Sequence, residues 1–245
     1  MKKTCTITGS KGFIGGALKK RLESMGWKVY PMPRCDVDYM FLFGSPSSDH
    51  WFSNGMSYNI RETIDNFINA LDYCREHHIK LVYPSSATVY NGNTAYAKCK
   101  GILEVIASCY SQDTLGLRIF AGYGVGEEQK GEYASIVYKF ARDMKAGRQP
   151  VIWGDGTQTR DFIYIDDIVT AIIDMKDLCG TVDIGTGINT SFKKVIQVIN
   201  KQISQIIVPV FSEKPSVYVQ KTICRHPCVT TVSLEEGIRR ILKSL

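Results

Sequence analysis

Short apolar runs alternate with amphipathic stretches along the chain. Thr4–Thr8 reads as a strand. Ile14, Leu18, Leu22 and Met25 then recur at helical spacing, and Gly26 marks the stop. Lys28–Tyr30 is a short strand candidate, and Asp38–Gly44 has the unbroken apolar character of a buried strand. Ile60–Glu76 is a long helix whose stripe is Ile60, Ile64, Phe67, Ile68 and Leu71. Ile79–Pro84 (strand), Ala95–Tyr110 (helix) and Leu115–Phe120 (strand) follow. Strands alternating with helices predict an α/β fold, a doubly wound parallel sheet with helices on both faces. One connection breaks the pattern. Only eight residues separate Tyr30 from Tyr39, and Pro31 and Pro33 are among them. Parallel neighbours need a crossover of about a dozen residues or more. Either the second strand is rudimentary or the chain returns in extended form along an edge.

Composition narrows the class. The chain has 245 residues, 44% hydrophobic and 22% charged, which suits one large domain or a domain with a dependent lobe. No apolar run approaches the roughly 20 residues of a membrane span. The start, Met1-Lys2-Lys3, lacks the apolar core of an export signal, so a cytoplasmic protein is expected. The net charge of +6 is spread without runs, and nucleic acid is not an expected partner. The eight cysteines are read as reduced thiols. Cys224, His226 and Cys228 lack a fourth ligand at recognisable spacing, so no metal is expected.

Two segments carry candidate chemistry. Gly9, Gly12 and Gly15 fall between the first strand and the first helix. Gly9 permits an unusual turn, Gly12 leaves room for a pyrophosphate, and Gly15 lets helix and strand pack closely. The helix N-terminus offers N–H groups and partial positive charge to phosphates. The spacing G-x-x-G-x-x-G differs from the general G-x-G-x-x-G fingerprint. Further on, Tyr96 and Lys100 lie one turn apart on one helix face. A lysine ammonium favours the phenolate and suits the tyrosine to act as a base. Alone, such a pair is also found on solvated helix faces. Here it follows a strand ending in Ser85 and Ser86, and a serine there can hydrogen-bond the same substrate oxygen.

With these motifs the chain resembles the NAD-dependent epimerase/dehydratase family, the extended short-chain dehydrogenases/reductases that act on nucleotide sugars. The resemblance is carried by the glycine turn, by Ser85-Ser86-Ala87-Thr88-Val89-Tyr90, by Tyr96 and Lys100, and by Leu117-Arg118-Ile119-Phe120-Ala121-Gly122-Tyr123-Gly124. The stretch from Trp153 to Ile168 is the most specific part. Asp183-Ile184-Gly185-Thr186-Gly187 and Ser233-Leu234-Glu235-Glu236-Gly237-Ile238 fit late motifs.

The resemblance implies a Rossmann-like sheet with a small C-terminal substrate-binding lobe. It divides the chain into a cofactor-binding lobe, 1–124 and 155–187, and a substrate-binding lobe, 125–154 and 188–245. It makes Ser86, Tyr96 and Lys100 catalytic. The cofactor would lie against Gly9, Lys11, Gly12, Phe13, Ile14, Gly15, Arg34, Phe43, Gly44, Tyr96, Lys100 and Phe120. The substrate would meet Ser86, Tyr123 and Arg160, the last holding phosphates unless it pairs with Asp161 or Asp155. Asn59 matches an asparagine that caps a helix or bonds locally. A homodimer through helices 60–76 and 95–110 is implied too.

The chain also departs from the family. Ala121 stands where the family has asparagine. The loop between Ser86 and Tyr96 has nine residues and is short. The helix-strand-helix material between the second and fourth strands is nearly absent. A C-terminal arginine motif is reduced to Lys214-Pro215. The dehydratases' Asp-Glu pair is Ala87-Thr88, and neither side chain titrates near neutral pH. The reaction expected is therefore epimerisation of a nucleotide sugar at C4, without loss of water. The alternatives are a keto-reductase using NADPH and a non-catalytic dinucleotide sensor. Pro33-Arg34 falls where the family places a ribose-binding aspartate. Arg34, helped by Lys11, favours NADP over NAD, while Asp36 could serve NAD.

Overall fold

Strand β1 (Thr4–Thr8) has parallel neighbours on both sides, β2 (Lys28–Tyr30) and β3 (Tyr39–Leu42). With β4 (Lys80–Ser86), β5 (Thr114–Ile119) and β10 (Gly180–Ile184) they form a six-stranded sheet ordered β10-β5-β4-β3-β1-β2. The computed structural model describes residues 3–45, 52, 55–90, 92–110, 113–214 and 218–245. Pro215, singled out in the sequence, lies outside these residues.

The irregular connection has a simple resolution. β2 is rudimentary, at three residues, and it is the edge strand. β2 and β3 are not neighbours, so the connection must pass β1 rather than follow the edge. Eight extended residues reach roughly 26 Å, ample for that passage without a helix. The Thr6 hydroxyl donates to the Met32 carbonyl, and the Thr4 N–H donates to the Asp38 carboxylate at 2.7 Å, tying the passing segment to β1. Pro31 and Pro33 do no harm in a segment that forms no ladder.

Paired residues on neighbouring strands point the same way. Met40, Leu81 and Tyr83 therefore share one face, where they pack with Phe67, Leu71 and Cys74 of α2 (Met56–Glu76) and Leu103 and Ala107 of α3 (Ala95–Cys109). Cys5, Ile7, Phe41 and Val82 point to the opposite face and are equally buried, as in a sheet covered on both sides. α1 (Phe13–Ser24) buries Leu18 and Leu22. α2 begins a turn earlier than its apolar stripe suggests. Gly55, in the left-handed region at φ 81°, precedes it as N-cap, which places Asn59 inside the first turn and not at the cap.

The chain divides into two compact units. The first comprises Met1–Ile119 and Val169–Val182, and the second Phe120–Ile168 and Asp183–Leu245. In the second unit α4 (Ile136–Lys145), α6 (Phe192–Ile203) and α7 (Leu234–Ser244) pack on one another. Ser135, Ser191 and Ser233 cap these three helices by accepting from backbone N–H groups. Three two-stranded sheets complete the unit: β6 (Ala121–Tyr123) with β9 (Phe162–Tyr164), β7 (Val151–Trp153) with β12 (Val210–Ser212), and β8 (Thr159–Arg160) with β11 (Thr190–Ser191). α5 (Ile165–Met175) runs from this unit into the first. No helix among the described residues is long and apolar enough to cross a membrane.

Candidate active site

The glycine turn is built by close backbone approach. Gly9 has φ 68°, and a Cβ there would lie 2.6 Å from the Phe43 carbonyl carbon and 2.7 Å from the Gly44 nitrogen. A Cβ on Gly15 would lie 2.3 Å from the Gly9 carbonyl oxygen. The Gly12 N–H donates to that same oxygen at 2.8 Å, and the Gly44 N–H donates to Thr8 Oγ1 at 3.2 Å. Gly12 is the N-cap of α1, no side chain caps this helix, and its first turn holds no acidic residue. A bare helix N-terminus beside a cradle of glycine backbone fits a dinucleotide's pyrophosphate. Phe13 and Ile14 form the first turn of that helix, and Lys11 is exposed just before it.

The second cluster lies where β4 ends and α3 begins. Thr94 caps α3, accepting from the Ala97 N–H, and this sets the helix register. Tyr96 is buried, with Phe52 edge-on to its ring at 5.6 Å between centroids. Lys100 is only 2% exposed, and its Nζ sits 5.8 Å from the Tyr96 ring centroid. That ammonium donates to Ser45 Oγ at 3.2 Å and to the Pro84 carbonyl at 3.1 Å. Burial pushes its pKa down to about 8. Lys100 also lines a small cavity with Gly44, Ser45, Thr63, Tyr83 and Leu103. Ser86 is buried, and its Oγ accepts from the Thr88 N–H at 3.2 Å and lies 2.9 Å from the Thr88 hydroxyl oxygen.

A network next to this cluster had no signal in the sequence beyond helical spacing. Glu104 lies one turn beyond Lys100. It accepts from the Ser85 hydroxyl and, in a two-pronged pair at 2.9 and 2.6 Å, from Arg118 of β5. Arg118 also donates to the Tyr90 hydroxyl at 2.7 Å. Through Lys100 on Pro84 and Glu104 on Ser85, one face of α3 holds the residues leading into Ser86.

Arg34 sits on the segment that passes β1. Its guanidinium lies 4.5 Å from the Tyr30 ring centroid and makes a two-pronged pair with Asp36 at 2.7 and 2.8 Å. The two side chains that would favour NADP and NAD are thus bound to each other.

The remaining candidates belong to the second unit. Phe120 is buried, and a Cβ on Gly185 would lie 2.9 Å from its ring. Tyr123, expected at the substrate, is 1% exposed. It packs edge-on against Phe162 and Tyr164, with its hydroxyl against Gly237. Burial raises its pKa. Arg160 lies 5.6 Å from the Phe192 ring centroid and 5.4 Å from that of Tyr218. Its expected rivals are engaged elsewhere. Asp161, fully buried, accepts from Thr186, Gly187 and the Cys224 N–H, while Asp155 accepts from Thr157. Cys228 Sγ donates to the Gly185 carbonyl.

Comparisons with known proteins give the family and the fold. The family model described as the NAD dependent epimerase/dehydratase family matches residues 32–185, more than half of the chain. An uncharacterised 37.6 kDa protein of Escherichia coli O111:H- is 27% identical over 70% of this chain and 69% of its own. The ADP-L-glycero-D-manno-heptose-6-epimerase of Alkalilimnicola ehrlichii is 28% identical over 53% of this chain, which spans about half (49%) of that relative. The fold is close to UDP-glucose 4-epimerase of Thermotoga maritima (TM-score 0.87, 20% identity, 98% of each chain). It is equally close to UDP-N-acetylglucosamine 4-epimerase of Methanobrevibacter ruminantium (TM-score 0.86, 21% identity, 100% of this chain and 98% of that one). An NAD-dependent NDP-hexosamine 5,6-dehydratase has the same fold (TM-score 0.86, 22% identity, 99% of this chain and 97% of that one).

Proposed function

The chain belongs to the NAD-dependent epimerase/dehydratase family, and on that premise we propose that it is a nucleotide-sugar epimerase working at C4 through a keto sugar. The observation that carries this reading is that Ser86, Tyr96 and Lys100 are all buried, with Lys100 beside the Tyr96 ring, in the same unit as the glycine cradle. Gly9, Lys11, Gly12, Phe13, Ile14, Gly15, Phe43 and Gly44 hold the dinucleotide, with its pyrophosphate at the start of α1. The bound nicotinamide supplies the hydride chemistry. Tyr96 removes and returns the proton of the sugar hydroxyl. Lys100 keeps positive charge beside the Tyr96 ring, which favours the phenolate. Ser86 hydrogen-bonds the same oxygen. In the second unit, the fork geometry of Arg160 suits phosphate oxygens.

Ala87 and Thr88 supply no carboxylate for eliminating water, which favours epimerisation over dehydration. Incubation with UDP-glucose and other nucleotide sugars, read by mass spectrometry, tests this. An epimer keeps the substrate's mass, whereas a product lighter by one water overturns the reading. Tyr96→Phe is expected to bind the dinucleotide normally and to lose about 10²–10⁴-fold in turnover, the usual worth of general acid–base catalysis.

The second reading, a keto-reductase using NADPH, is favoured by Arg34, whose fork suits a 2′-phosphate. It predicts a product heavier by two hydrogens. Arg34→Ala is expected to weaken NADP binding in a fluorescence titration. Unchanged NADP affinity, with tighter NAD binding by the parent, assigns the pocket to Asp36 and NAD.

A further inference from the structure

A serine hydroxyl has one hydrogen to give and two lone pairs to receive with. At Ser86, among the described residues, both receiving positions face Thr88. The Thr88 N–H lies 3.2 Å from Ser86 Oγ and the Thr88 hydroxyl 2.9 Å from it. The N–H can only donate. The contact between the two hydroxyls could run in either direction, and that direction decides what Ser86 offers a substrate. If Ser86 gave its hydrogen to Thr88, it would have none for a keto sugar, whose carbonyl oxygen only accepts. If Thr88 donates, both lone pairs of Ser86 are filled and its own hydrogen is left for the substrate.

We propose that Thr88 is a positioning residue that makes Ser86 an obligate hydrogen-bond donor to the reacting oxygen. The local structure suits this. Ala87–Tyr90 form a turn of 3₁₀ helix that starts directly after Ser86 and brings Thr88 back over it. The Gly92 N–H donates to the Thr88 carbonyl at 2.6 Å, and a Cβ on Gly92 would lie 2.4 Å from that carbonyl oxygen and from Ala97 Cβ. The short loop before Tyr96 therefore closes tightly on Thr88. Ser86 is buried, so bulk water does not compete for its lone pairs. The division of labour is then fixed: Ser86 donates throughout the reaction, and only Tyr96 takes up and releases the proton.

The inference rests on the catalytic reading of Ser86, Tyr96 and Lys100. Thr88→Val keeps the shape and the N–H but removes the hydroxyl, and Thr88→Ser restores it. With NAD and UDP-glucose as probes, Thr88→Val is expected to lower kcat about two- to tenfold, the range of one neutral hydrogen bond. The KM for UDP-glucose and the melting temperature should stay near the parent's, and Thr88→Ser should recover kcat. Crystal structures of the parent and Thr88→Val supply a readout that needs no turnover. Ser86 should hold one rotamer in the parent and leave it, or divide between two, in the variant. Parental kcat in Thr88→Val, a Thr88→Ser variant as slow as Thr88→Val, or an unmoved Ser86 rotamer would each overturn the proposal. A parent inactive on UDP-glucose counts against the proposed substrate, and the rotamer comparison then decides the role of Thr88.

Discussion

Lys100 sits in an environment that its spacing from Tyr96 does not reveal. Spacing alone also allows a lysine four residues after Tyr96 to lie on a solvated helix face. In the fold it is 2% exposed, and burial brings its pKa down to about 8 against an ordinary value of 10.5. Between these values the unfolded chain binds more protons than the folded one, so this group makes stability rise with pH across that window. Cys5 and Cys74, pushed up to about 12 by burial, act in the opposite sense: their contribution is lost as pH rises from 9.0. Comparing the parent with Lys100→Met isolates the lysine. Urea denaturation should show the parent gaining up to about 3 kcal/mol on the variant between pH 8 and pH 10.5. Equal slopes would mean that Lys100 is hydrated. Tyr96 and Lys100 were legible from their spacing; the depth of Lys100 was not, because burial depends on Ser45 and Pro84, distant in sequence.

At the scale of elements, the turn from β1 into α1 is legible because its geometry is local: each glycine stands where backbone meets backbone. Gly15→Ala is expected to force α1 away from Gly9, since the Gly9 oxygen 2.3 Å from the new Cβ is backbone and cannot swing aside. The cost should be about 1–3 kcal/mol in chemical denaturation, typical of overpacking, with dinucleotide binding lost in titration. Parental stability would show that helix and strand can separate freely. The passage from β2 to β3 was not legible, because strand order is set by pairing on both sides of β1 and leaves no periodicity in the connecting residues.

On the whole molecule, α2 and α3 present different outer faces. α2 exposes Met56 and Tyr58 in its first turn and then Arg61, Glu62, Asp65 and Asp72, whereas α3 exposes Ile102 at 44% and Val105 at 64%, one turn apart. The apolar strip on α3 favours the homodimer through helices 60–76 and 95–110 implied by the resemblance. Val105→Glu is expected to yield a monomer in light scattering at micromolar concentration, with an unchanged circular-dichroism spectrum. A parent that is already monomeric removes the prediction. Buried carboxylates organise the second unit. Asp161 receives four hydrogen bonds, from Thr186, Gly187 and Cys224, and Asp167 holds Thr231 and Val232. Glu127, fully buried, accepts from Gly124, Lys130 and Ser135.

The sequence by itself determined the family, the alternation of strands and helices, the glycine turn and the Tyr96–Lys100 pair. Each of these depends on residues within a few turns of one another, where spacing alone dictates which side chains share a face. Tertiary structure alone decided that β2 and β3 flank β1 and that Tyr123 is packed against Gly237. It alone assigned partners to Asp161 and Glu104. A carboxylate or hydroxyl can accept from any donor the fold brings near. A tyrosine can serve core or site with the same ring. For Tyr123, Asp161 and Glu104 that choice is made by the packing of segments far apart in sequence.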